Sequence, residues 1–147
     1  MEGFEVTKIG KHIFCILDAG NSSFYMVEGD EKAAVIDTGI TTGKKIMPLL
    51  RELTDKPLLL VVTHVHLDHI YHMDEFEEVY MCHDEKKIEE TTLRTLTAGR
   101  LKPWDEIHDI HTDSVISLGG TELRICQVPG HTPGSIVTVS YTHLTLP

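Results

Sequence analysis

The sequence predicts an α/β fold on three observations. Residues 33–36 and 58–62 are wholly apolar runs, the pattern of strands buried on both faces. Between them Ile46, Leu49, Leu50 and Leu53 fall at i, i+3, i+4 and i+7, the stripe of an amphipathic helix. A buried strand, a helix and a second buried strand form a βαβ unit, whose strands pair in parallel. With 147 residues, 41% of them apolar, the chain is long enough for one domain with its own core.

Upstream of that unit, residues 4–9, 12–18 and 23–29 are rich in β-formers and separated by Gly10, the 18–22 segment and Gly29-Asp30. They predict an antiparallel meander. Thr41 or Thr42 is a candidate cap for the first helix. Pro48, which lacks a backbone donor, predicts a start near itself or a kink. Pro57 then introduces the 58–62 strand. Residues 79–82 form a further short strand. Residues 84–97 predict a polar surface helix with Asp84 as N-cap and a thin stripe of Ile88, Thr92 and Leu96. Residues 98–113 are expected to be irregular, with Trp104 as a packing anchor. Residues 115–118 and 121–128 form a hairpin across Gly119-Gly120, and a last strand begins at Ile136.

The formal net charge of −10, with no Lys/Arg run longer than two, argues against nucleic acid as a partner. Three cysteines without a C-x-x-C pair are expected as buried strand residues rather than disulfides or thiolate ligands. No secretory leader is visible at the N-terminus, and no apolar run approaches the roughly 18 residues of a membrane helix. A cytoplasmic protein with a small-molecule substrate and no membrane partner is the resulting expectation.

The chemistry concentrates in Thr63-His64-Val65-His66-Leu67-Asp68-His69, directly after the 58–62 strand. Open α/β sheets place their ligand sites beyond the carboxyl ends of such strands. His64 and His66 are two apart on an extended backbone, so their rings point to one side. Zinc takes imidazole and carboxylate ligands and, where catalytic, keeps a position open. Four such ligands cannot serve one ion and leave that position. Two ions fit better, with His64 and His66 on the first and Asp68 and His69 on the second. His131, sixty-two residues after His69 in a Gly/Pro-rich loop at a strand end, would complete a three-histidine first site.

Three motifs occur in order: Asp37-Thr38-Gly39 after one buried strand, His-x-His-x-Asp-His after the next, and Gly130-His131-Thr132-Pro133-Gly134-Ser135. Together they resemble the metallo-β-lactamase-fold hydrolase superfamily over roughly residues 4–139. The resemblance implies an αββα sandwich. It implies His64, His66 and His131 at a first metal, Asp68 and His69 at a second, and Asp37 as a carboxylate orienting the ligand loop. Zinc, as two ions in the parent protein, is the implied cofactor; iron or manganese also suits these ligands. The implied chemistry is hydrolysis of a small ester, thioester or lactone by a metal-bound hydroxide, with Asp68 orienting the nucleophile and carrying a proton.

Two features depart from the family. Its usual glycine pair after Asp-His is replaced by Tyr71-His72, which become candidate substrate contacts in a bulkier wall; His72 otherwise reads as a helix-surface histidine. In addition, no Asp or Glu follows Glu122, whereas the family supplies a bridging aspartate and a late histidine after the third histidine. The expectation is therefore a C-terminally truncated domain at 1–139, with the second half-sandwich largely missing and a non-native or truncated tail at 140–147. The competing expectations are a catalytically inactive metal-binding fragment or degenerate homologue, and a mononuclear iron thiol dioxygenase.

Overall fold

A computed structural model describes residues 3–142. Its larger sheet has seven strands in sequence order: β1 Phe4–Lys8, β2 Ile13–Asp18, β3 Ser23–Glu28, β4 Ala33–Ile36, β5 Leu58–Val61, β6 Val79–Met81 and β7 His108–Asp109. β1 to β3 pair antiparallel as the expected meander, β4 joins β3 antiparallel, and β4 to β7 pair in parallel. A second, antiparallel sheet holds β8 Val115–Ser117, β9 Thr121–Gln127 and β10 Ile136–Thr142. His143 and the rest of the expected tail beyond residue 142 lie outside the described residues.

Strands β4 and β5 are buried on both faces, as their composition requires. Ala33, Val35, Leu60 and Val62 pack with Leu49 and Leu50 of α1 (Met47–Leu53), Ile70 of α2 (Leu67–Ile70) and Leu93 of α3 (Glu90–Thr97). Ala34, Ile36, Leu59 and Val61 face the other way, onto Ile116, Leu123, Ile125 and Ile136 of the second sheet. The layers are thus helices, large sheet and small sheet. Among the described residues no helix joins the core between the sheets. The outer face of the small sheet exposes Val115, Val137 and Val139. No helix among the described residues is long and apolar enough to cross a membrane.

Four local expectations need correction. Helix α1 starts at Met47, with Pro48 in its first turn, but neither Thr41 nor Thr42 caps it. Glu75 does so from across the fold, accepting from the amides of Ile46 (3.1 Å) and Met47 (2.9 Å). The 84–97 helix is broken. His83–Lys87 is a 3₁₀ turn, and α3 begins only after Glu89, whose carboxylate accepts from the Thr91 and Thr92 amides. Leu93 and Thr97, rather than Thr92, face inward. Of the cysteines, only Cys82 is buried; Cys15 is half-buried and Cys126 exposed. The 98–113 segment, expected to be irregular, contributes β7. Trp104 packs against the helix-side core with Lys86 Nζ 5.4 Å from its ring centroid.

The loop carrying Asp37 is held by Asp18, a buried carboxylate at the end of β2. Its Oδ1 accepts from the Gly20 and Ser22 amides (2.9 and 3.0 Å), and its Oδ2 from Ile40 and Thr41 (2.6 and 3.0 Å). Gly39 sits at φ +69°, where a Cβ would come within 2.5 Å of that Oδ2. Burial pulls the Asp18 carboxyl upward, but the Ile40, Ser22 and Gly20 amides outweigh it and hold it below its ordinary 3.8. Its stabilising effect is therefore present above that value and is lost as pH falls through the lowered one. Asp18→Asn turns one acceptor into a donor facing amides and should destabilise the fold by about 1–3 kcal/mol, read as a lower urea midpoint.

Candidate metal centre

Strand β5 runs through Val62 into Thr63, whose carbonyl accepts the Ile136 amide of β10 at 2.9 Å. The ligand loop is thereby tied to the second sheet. His64 follows, and His66 keeps an extended backbone (φ −66°, ψ 151°) as the residue preceding α2. The same-side orientation expected of them is observed, with ring centroids 4.8 Å apart. His131 arrives on the loop between β9 and β10, its centroid 4.9 Å from His64 and 4.5 Å from His66. The potential ligand atoms of these three histidines lie within 4.8 Å of one another. Two nitrogens about 2.0–2.1 Å from one tetrahedral ion stand roughly 3.4 Å apart, so the donor set fits a metal once the three rings close towards one another by roughly 1 Å.

Asp37 sits at the end of β4 at φ +66° and is buried. Oδ1 accepts from the Thr63 amide (2.8 Å). Oδ2 accepts from the Thr63 hydroxyl and from His69 Nδ1, both at 2.7 Å. The hydroxyl has one proton. Given to Asp37, it leaves an oxygen lone pair facing His64 Nδ1 at 3.2 Å. That arrangement protonates His64 at Nδ1 and leaves the Nε2 lone pair for a metal. One carboxylate thus orients two of the candidate ligands.

Asp68 and His69 form a neighbouring pair, with His69 Nε2 3.4 Å from Asp68 Oδ1. The rings of His64 and His69 lie 3.9 Å apart, so the pair borders the three-histidine group. Among the described residues no third ligand joins them. Tyr71 is half-buried, and the Arg100 guanidinium lies 3.8 Å from its ring centroid. His72 is a correction. It is 4% exposed, with Nδ1 2.6 Å from Glu75 Oε2 and Nε2 2.8 Å from the Thr41 carbonyl. Both nitrogens serve the α1 start and the Asp37 loop, so His72 has no free atom for a substrate. The sequence reading also missed Glu85, fully buried under both ligand loops. In a segment read as a polar helix, nothing local distinguished it from a solvated charge.

Burial pushes the His64 imidazole down to about 4. The charge of His69 adds to this, Asp37 opposes it, and His66 and His131 add again. For His69, burial also acts downward, but the hydrogen bond and charge of Asp37, then Asp68, raise it above 6.5. The signs differ. Between about 4 and the ordinary 6.5 the unfolded chain binds the His64 proton more tightly, so stability rises with pH there. The His69 contribution is full below 6.5 and fades as pH rises through its raised value. Thermal unfolding with chelator present should therefore show stability falling as pH drops from about 6.5 towards 4, and His64→Gln should flatten that slope.

Comparison with known proteins identifies the fold and the family. The chain is 28% identical to the human acyl-coenzyme A thioesterase MBLAC2, over 92% of this chain and 62% of that protein. It is 32% identical to the probable metallo-hydrolase YqgX of Bacillus subtilis, over 76% of this chain and 57% of that one. The chain thus spans about three-fifths of the length of these relatives. Among solved structures, the class B3 di-zinc metallo-beta-lactamase LRA-12 from an Alaskan soil metagenome superposes with a TM-score of 0.75 at 19% identity, covering 97% of this chain and 59% of that one. Rubredoxin oxygen:oxidoreductase from Desulfovibrio gigas gives 0.69 at 20% identity, over 91% and 38%. Residues 17–141 match the family model of the metallo-beta-lactamase superfamily, and the chain belongs to that superfamily.

Proposed function

We propose that the chain carries the metal-binding half of a hydrolase that cleaves a small acyl compound, with a thioester as the leading substrate class. The observation that carries this reading is the convergence of His64, His66 and His131 beside Asp68 and His69. The thioester class draws on the human relative's name, which says that protein acts on acyl-coenzyme A. Zinc is the proposed metal, in keeping with the three imidazoles and with the di-zinc LRA-12.

A metal held there supplies Lewis-acid activation of water and of the attacked carbonyl. The protein's own contribution is positional and protonic. Burial keeps His64 neutral at pH 7, so it needs no deprotonation before it ligates. Asp37 holds His69 by Nδ1 and leaves Nε2 facing Asp68 and the site. The Asp68 side chain is 44% exposed, so its carboxylate can take a proton at the mouth of the site and pass it to solvent or to a leaving group. A single identifiable feature favours a second reading, metal binding without turnover: Asp68 and His69 have no third ligand among the described residues.

Zinc titration with an acyl-coenzyme A hydrolysis assay separates the two. The hydrolase reading expects zinc binding, hydrolysis abolished by chelator and restored by zinc, and loss of first-site metal in His66→Ala. Asp68→Asn should retain the first-site metal and lower turnover about 10²–10⁴-fold. Zinc uptake without hydrolysis of thioester, ester or lactone would favour the second reading. A His66→Ala variant with unchanged zinc content would overturn the ligand assignment.

A further inference from the structure

We propose that Glu85 is a positioning residue that locks the His131 loop onto the His64–His66 segment and so assembles the three-histidine site before metal arrives. The inference rests on reading those histidines as metal ligands. Glu85 is 0% exposed and lies in the 3₁₀ turn after β6. Its Oε2 accepts from the amide of Val65 (2.8 Å), the residue between His64 and His66. The same oxygen accepts from the hydroxyl of Thr132 (2.9 Å), the residue next to His131. Its Oε1 accepts from the Gly134 amide (2.6 Å). One carboxylate thereby joins two ligand-bearing segments far apart in the chain, from a third element.

The His131 loop is shaped for this contact. A Cβ on Gly134 would stand 2.7 Å from both Cγ and the backbone nitrogen of Glu85, so only glycine admits the carboxylate at that distance. The Thr132 amide donates to Ser135 Oγ (3.1 Å), and the two hydroxyl oxygens are 2.7 Å apart. With the Thr132 proton given to Glu85, Ser135 supplies the proton between them. All three Glu85 bonds come from neutral donors. A carboxylate buried in such company is costly to hold, and the three bonds that offset that cost are the ones that join the two loops.

A role confined to holding the fold would lower stability without acting through His131. The test is therefore a zinc-affinity cycle by chelator competition on the whole chain: wild type, Glu85→Gln, His131→Ala and the double variant. Gln keeps the size of the side chain but presents a donor where amides and a hydroxyl donate. We expect Glu85→Gln to weaken zinc about 10–100-fold, and to weaken it much less in the His131→Ala background, because coupled residues are non-additive. If Glu85→Gln does not fold, Thr132→Val removes one of the three bonds and enters the same cycle, with a smaller loss expected. Wild-type affinity in the variant, or an equal loss in both backgrounds, overturns the role of Glu85 while leaving the ligands intact. Zinc binding that is absent in wild type, or insensitive to His131→Ala, overturns the ligand reading and the inference with it.

Discussion

Parallel pairing of β4 with β5 is the constraint on which the site depends. Their register sets Ile36 beside Val61, and the Asp37 amide extends the ladder one step to the Val61 carbonyl at 2.9 Å. The two strands therefore end level, and the residues that follow them emerge side by side. Asp37 can then reach Thr63 and His69 without a long side chain. Both strands are buried on both faces, so the platform cannot shift without opening two cores. Rigid strands that present a ligand loop at their carboxyl ends are what a preorganised site needs.

Around that platform, buried carboxylates do the joining that backbone ladders cannot. Loops carry amides with no strand partner, and a buried amide left unpaired is costly. Asp18 gathers amides from its own turn and from the Asp37 loop. Glu75 closes the start of α1 while His72 pairs with it. Asp37 and Glu85 gather the loops that carry the histidines. Part of the acidity that looks like surface charge in the composition is thus structural. Acceptor-only carboxylates suit this task because each oxygen can take two donors.

The small sheet is attached at both ends. At one end the Ile136 amide reaches Thr63. At the other, the β8–β9 turn, with Gly119 and Gly120 at φ +84° and +72°, docks on the β3–β4 turn. There the Leu118 carbonyl accepts from the Glu31 and Lys32 amides (2.9 and 3.1 Å). Gly29 allows this approach, since a Cβ there would come within 2.3 Å of the Leu118 carbonyl oxygen. These two attachments fix where the loop carrying His131 can go. The opposite face of the sheet shows Val115, Val137 and Val139 to solvent, an apolar surface of the kind that ordinarily packs against another layer.

Hydrophobic period and ligand spacing are local properties, and both were legible from the residues alone. The double-faced burial of 33–36 and 58–62, the meander, the hairpin at Gly119-Gly120, and the approach of His131 to His64 and His66 all appear as read. The residues that organise the site were not legible in the same way. Glu85 stands in a polar stretch that periodicity assigns to a helix, and His72 in a stretch that reads as surface. Each becomes buried because of partners supplied from elsewhere: Val65, Thr132 and Gly134 for Glu85, and Thr41 with Glu75 for His72. The sequence by itself determined which strands are buried and which side chains could hold a metal, because side-chain chemistry and spacing are written along the chain. Only the tertiary structure decided which carboxylates hold those side chains in place, because a hydrogen bond between distant segments exists only once the sheets have packed.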